Sequence, residues 1–170
     1  MVQASGPKRA PGRRKAPSGT LAAETTSREQ GAYRQVAALP VRQSADGTWQ
    51  VLLVTSRATR RWVIPKGWPM KKLKDHKAAA LEAEQEAGVV GRVSKAPVGS
   101  YLYWKRRREH FDLCQVDVDL LDVTRQLSRW KEEAQRTVRW LDPTIAAYAV
   151  DEPGLTFLIE QLGSDGATRE

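Results

Sequence analysis

Over residues 111–120 apolar and polar positions alternate, with Cys114, Val116, Val118 and Leu120 on one side of an extended chain and Gln115, Asp117 and Asp119 on the other. A strand with one apolar face is expected there. Residues 33–41 and 50–55 are β-prone runs separated by a polar Asp46-Gly47 turn signal, which predicts two strands joined by a short loop. Residues 61–65 (Arg-Trp-Val-Ile-Pro) predict a third short strand stopped by its proline, and residues 100–104 and 136–141 two more. Residues 75–87 contain alanines, Leu81 and glutamates without Gly or Pro, so this is the strongest helix in the chain, and Gly88 ends it. Pro143 opens a second predicted helix, and residues 153–162 form a third. No internal repeat interrupts this order. The interleaving of strands and helices predicts an α/β or α+β sandwich, with a mixed sheet covered on both faces.

Residues 1–30 have a different texture. They are rich in Pro, Gly, Ser, Ala and Arg, with no aromatic residue, and such a segment cannot recover its ordering entropy by burial. A disordered basic tail over 1–30 is expected, followed by one folded domain over 31–165. A chain of 170 residues suits a single core. Cys114 is the only cysteine, which excludes an internal disulfide, and with only His76 and His110 beside it there is no cysteine/histidine zinc cluster. No apolar run approaches the roughly 18 residues that span a bilayer, and a hydrophobic secretory stretch is missing. The expectation is a soluble, cytoplasmic protein without a membrane partner.

Charge sharpens the picture. Lys and Arg number 28 against 20 Asp and Glu, a formal +8, and residues 57–108 are the most basic part of the folded region. A partner or substrate with several negative charges is expected, the plainer alternative being a solvated basic surface.

The helix at 75–87 carries candidate chemistry. Glu82, Gln85 and Glu86 stand at i, i+3 and i+4 and share a face, while Glu84 lies roughly 200° round from Glu82. Ala80, Ala83 and Ala87 are expected to form a small-residue stripe that lets the helix approach a sheet. Two carboxylates one turn apart suit a hard, oxygen-seeking ion such as Mg²⁺, which keeps several waters and takes phosphate oxygens as ligands. Without further context the same pair would read as a solvated acidic helix face.

The context is the run Gly67-Trp-Pro-Met-Lys-Lys-Leu73, then Leu81-Glu82-Ala-Glu-Gln85-Glu86-Ala-Gly88-Val89. It resembles the Nudix box, in which a glycine, a glutamate, and an Arg-Glu-aliphatic-any-Glu-Glu-any-Gly-aliphatic run follow at fixed spacing. Gly67, Glu82, Glu86, Gly88 and Val89 fall in register, whereas Leu73, Leu81 and Gln85 replace Glu, Arg and Glu. Within that superfamily the chain is most similar to the diphosphoinositol polyphosphate phosphohydrolase group, whose members also cleave diadenosine polyphosphates. The residues carrying this are Ser56-Arg57, Arg61-Trp-Val-Ile-Pro, Trp130-Lys-Glu-Glu and Arg136-Thr-Val-Arg-Trp140.

The resemblance implies an α/β/α sandwich, dependence on Mg²⁺ or Mn²⁺, and hydrolysis of a diphosphate linkage in a polyphosphorylated small molecule by metal-activated water. Carried over by position, Glu82 and Glu86 would be catalytic and would bind metal together with Gly67 and Gln85, with Glu86 polarising the attacking water. Gln85 offers a neutral oxygen in place of a carboxylate, which predicts weaker metal affinity. Arg34, Arg57, Arg61, Lys66, Lys72, Arg106 and Arg108 are the candidate substrate-binding residues, since arginine forks and ammonium groups suit phosphate oxygens. The alternative is a degenerate Nudix domain that binds a nucleotide or polyphosphate with little or no turnover. Nucleic acid is not the expected partner, because aromatic residues are not interleaved with the basic runs. Glu109, Asp112, Glu132 and Glu133 are acids that could supply a missing metal ligand, although Glu132 and Glu133 read more readily as exposed loop acids; Cys114 reads as a core residue, and Trp62, Trp104, Trp130 and Trp140 as core or core-edge residues.

Overall fold

The computed structural model describes residues 28–29 and 31–167, with side chains over 31–163. The central strand is β2 (Ala32–Gln43), which pairs in parallel with β8 (Phe111–Gln126) and antiparallel with β3 (Trp49–Thr55). In β2, Val36 and Ala38 enter one apolar cluster while Ala37, Leu39 and Val41 enter another. In β3, Leu52 and Val54 alternate in the same way with Val51 and Leu53. The near-continuous apolar runs predicted as strands are therefore buried on both faces, as a sheet between two helical layers requires.

The flanking strands are short. β4 (Trp62–Val63) and β9 (Val138–Leu141) pair with β3, and β5 (Lys66–Gly67) pairs with Val36 and Ala37 of β2. β6 (Val89–Val93) and β7 (Gly99–Arg106) pair with β8, and β1 (Arg28–Glu29) pairs with the start of β2. Expectations for 1–27 lie outside the described residues. Helix α1 (Asp75–Ala87) covers one face, and α2 (Pro143–Ala149) and α3 (Pro153–Ala167) cover the other. The architecture is a three-layer α/β/α sandwich with a mixed sheet. Among the described residues no helix is long and apolar enough to cross a membrane.

α1 has the boundaries its composition predicts. Gly88 closes it at φ 67°, and its N–H reaches back to the carbonyl of Glu84 at 3.0 Å. The ring of Trp130 packs over this glycine so tightly that an added Cβ would lie 2.5 Å from it. The small-residue stripe differs by one position: Ala79, Ala83 and Ala87 are fully buried with Ala78, while Ala80 is only partly covered. The buried face is centred between Ala79 and Ala83, with Ala78 and Glu86 on it, which leaves Ala80 at its edge.

Candidate functional site

The site is built where β5 meets α1. Lys66–Gly67 is held against β2 by its pairing with Val36 and Ala37, and α1 crosses behind it. The Glu82 carboxylate lies against Gly67, where a Cβ would stand 2.1 Å from Glu82 Oε1. One turn further on, Glu86 is buried, and its Oε2 accepts from the Lys66 backbone N–H at 3.2 Å. The two carboxylates are thus gathered by a helix face and one short turn. Gly67→Ala is expected to displace Glu82 while leaving the core intact. It should lower any activity at least roughly tenfold with little change in thermal stability, because the displaced atoms end a flexible side chain. Activity and unfolding midpoint measured on one preparation check this.

Burial dominates the electrostatics. It pushes the Glu86 carboxyl up to about 7, against the opposing pull of Arg136 and Lys66. It raises the Glu82 carboxyl as well, reinforced by the charge of Glu132. Burial also brings the Lys66 ammonium down to about 8, although Glu86 and Glu152 act to hold its proton. The Lys66 ammonium stands 5.1 Å over the ring of Tyr103, whose hydroxyl donates to Gln35 Oε1 at 2.6 Å.

These groups open into a cleft of about 830 Å³. Of the sequence-predicted residues, Gly67, Glu82, Gln85, Glu86, Arg57, Arg61, Lys66 and Arg106 line it. Arg34 is elsewhere: it binds Asp75 at 2.6 Å and Asp117 at 2.8 Å in a separate hollow of about 450 Å³ with His76, Lys95 and Asp119. Its pairing with Gln115 in the β2–β8 register fixes it there. Lys72 and Arg108 are exposed and do not line the cleft. Arg61 does reach it, held by Glu152 at 2.9 Å and Asp151 at 3.2 Å. Gln85 turns its Oε1 to Lys131 Nζ at 3.0 Å.

Arg136 and Glu152, which the sequence reading of the site omits, and Glu132, which it weighs only as a spare ligand, complete the floor. Arg136 is 6% exposed; it bonds Glu86 Oε1 through Nη2, Glu132 Oε2 through Nε at 2.6 Å, and the Thr55 carbonyl at 3.0 Å. Glu132 is therefore not an exposed loop acid: its side chain is 13% exposed, and its backbone N–H donates to the Gln85 carbonyl at 3.0 Å. Glu152 is a further cleft carboxylate, 6% exposed. The i, i+4 spacing of Glu132 and Arg136 is the one sequence signal that pointed to their pairing. Trp104 departs from the core role expected of it, being 64% exposed at the outer cleft wall with Leu102 and Phe111. Cys114 is buried and free, as its strand position predicts.

The donor set fits a hard divalent cation only in part. Glu82 and Glu86 offer carboxylate oxygens beside the Lys66–Gly67 segment, which suits Mg²⁺ or Mn²⁺. Among the described residues, however, no group of three or more His, Cys, Asp and Glu side chains assembles as a ligand set. An ion held there would rely on carbonyl, water and phosphate oxygens for the rest of its shell.

No family model matches the chain. It is 27% identical over 134 residues to Nudix hydrolase 13, mitochondrial, of Arabidopsis thaliana, covering 71% of this chain and 65% of that protein. It is 33% identical over 96 residues to Nudix hydrolase 16, mitochondrial, of the same plant, covering 54% of this chain and 53% of that protein. The chain thus spans less than two thirds of the length of these relatives. An Ap4A hydrolase binary complex from C. elegans superposes with a TM-score of 0.59 at 16% identity, covering 79% of this chain and 98% of that one. In sequence the chain is similar to Nudix hydrolases, and in fold to the C. elegans enzyme. The run that resembles the Nudix box occupies the β5–α1 unit, with Gly67 at its start and Gly88 at its end. Its three departures sort by position: Leu73 is 43% exposed, Leu81 is half-buried on α1, and Gln85 faces the Trp130–Arg136 segment.

Proposed function

We propose that the chain is a divalent-metal-dependent hydrolase that cleaves a diphosphate linkage in a polyphosphorylated small molecule, a dinucleoside polyphosphate or a diphosphoinositol polyphosphate. The observation that carries this reading is the placement of Glu82 and Glu86 against the Lys66-Gly67 turn, on the floor of a cleft with Arg57, Arg106 and Lys131 in its walls. Sequence similarity to two Nudix hydrolases supports it, as does the likeness in fold to an Ap4A hydrolase.

Bound Mg²⁺ or Mn²⁺ would neutralise phosphate oxygens and acidify a coordinated water. Glu82, Glu86 and the Gly67 carbonyl would hold it. Glu86, kept ionised by the cation beside it, is suited to take the water's proton, and its buried position excludes bulk solvent from that transfer. Lys66 and Arg57 offer charge to the bridging and terminal phosphate oxygens, and Arg106 extends that reach along the cleft.

A second reading is favoured by the contacts of Gln85 and Arg136. Lys131 holds Gln85, and a guanidinium already neutralises Glu86, which together suit a domain that binds polyphosphate without turning it over. One experiment separates the two. Incubation with diadenosine tetraphosphate and with a diphosphoinositol pentakisphosphate, in Mg²⁺, in Mn²⁺ and in EDTA, is expected to release product only with metal. Tight binding with no product from either substrate would overturn the hydrolase and leave the binding module.

A further inference from the structure

The cleft holds a carboxylate that this chemistry does not use. Glu152 directly precedes α3, and its Oε1 accepts from Arg61 Nη1 at 2.9 Å. Its Oε2 is buried and has no hydrogen-bond partner. Arg61 does not supply the missing donor, since the same Nη1 is shared with Asp151 Oδ2 at 3.2 Å. A buried carboxylate oxygen without a donor is costly, and a ligand that brings a donor recovers the cost. Glu152 itself lines the cleft, so a ligand seated there is a source of that donor, reached by a small turn of the side chain.

The outer wall asks for the same kind of ligand on different grounds. Leu102, Trp104 and Phe111 are each more than half exposed and line the cleft from paired strands β7 and β8. An apolar, aromatic wall beside a phosphate-binding floor serves a ligand part that carries no phosphate.

Resting on the polyphosphate-cleavage reading above, we infer that Glu152 is a specificity-determining residue. Its unpaired oxygen accepts a hydrogen bond from a hydroxyl or amino group on the organic moiety that bears the phosphates, and it repels a phosphate placed there. A nucleoside-like moiety with free donors fits; a polyol phosphorylated at every hydroxyl does not.

The test is calorimetric binding to the full chain of ADP, inorganic pyrophosphate and inositol hexakisphosphate, in wild type and Glu152→Gln. Glutamine keeps an acceptor for Arg61 but turns an amide N–H toward the cleft, so the preference should reverse. ADP binding is expected to weaken roughly tenfold relative to pyrophosphate, and inositol hexakisphosphate binding to strengthen. An equal change for all three ligands, or none, overturns the inference. A second arm needs no variant: wild type should bind 2′,3′-dideoxy-ADP or N6,N6-dimethyl-ADP roughly tenfold more weakly than ADP. Equal affinity for all three nucleotides also overturns it. If wild type binds none of the probes, the polyphosphate reading falls with it; binding with unaltered ratios sinks the role of Glu152 alone.

Discussion

Glu86→Gln is expected to lower turnover by roughly 10²- to 10⁴-fold, the range a positioned general base contributes, and to make the fold more stable above neutral pH. The second effect follows from burial. Burial raises the Glu86 carboxyl to about 7 from an ordinary value of 4.5, so the folded chain binds this proton more tightly than the unfolded chain does. Between about 4.5 and 7 the folded state holds more protons than the unfolded state, and stability therefore falls as pH rises through that window. Below 4.5 both states are protonated and the contribution is complete; above 7 it is lost, and the folded chain carries a buried charge that Arg136 only partly offsets. Glutamine imitates the protonated acid at every pH. The variant should then match wild type near pH 4.5 and exceed it at pH 8, by an amount on the order of 2 kcal/mol. Denaturant unfolding of the metal-free chain at several pH values reads the stability, and turnover with Mg²⁺ present reads the activity. A variant less stable than wild type at pH 8 would show that the Arg136 contact outweighs the burial cost.

Local composition reported those parts of the fold that depend on local composition. α1 starts and stops where its alanines, its missing Gly and Pro, and Gly88 place it. Strand β6 went unread because Val-Val-Gly-Arg-Val is short and centred on a glycine. Its reason lies in the partner strand: a Cβ on Gly91 would lie 2.0 Å from the Asp122 carbonyl oxygen, at a bulge in the ladder. The β5 pair was equally silent, since Lys66–Gly67 is a strand only by virtue of Val36 and Ala37. The site divides along the same line. Spacing along α1 put Glu82 and Glu86 together, and the cleft contains them. Arg34 and Trp104 were misplaced because register decides which side of a strand meets the cleft, and periodicity gives the two faces without saying which one has a helix over it. Glu152 and Arg136 come from segments far from the box, brought in by pairing of β9 with β3 and by the docking of α3. No single stretch of sequence holds that information.

Arg136→Met should be the most destabilising single change in the site, costing roughly 3 to 5 kcal/mol at pH 8, as breaking a buried ion pair from one side does. Methionine fills much of the volume, so the loss is one of charge. Arg136 is the cation between Glu86 and Glu132, and Glu82 already feels the charge of Glu132. Without it, carboxylates share a largely buried space with no guanidinium among them. Two conditions should then restore the variant more than they help wild type. Lowering the pH from 8 to about 5.5 protonates Glu86, whose carboxyl loses the group that opposed its upward shift, and so removes part of the repulsion. Millimolar Mn²⁺ would bind the folded state and not the unfolded one, and stabilise it by mass action. Adding Glu86→Gln to Arg136→Met should cost less than the sum of the two changes, because the charge left unpaired by the second is removed by the first. A deficit indifferent to pH, to Mn²⁺ and to the second substitution would assign Arg136 to packing. The guanidinium would then anchor the Trp130–Arg136 segment through Thr55, at 3.0 Å, and would do nothing for the acids of the cleft.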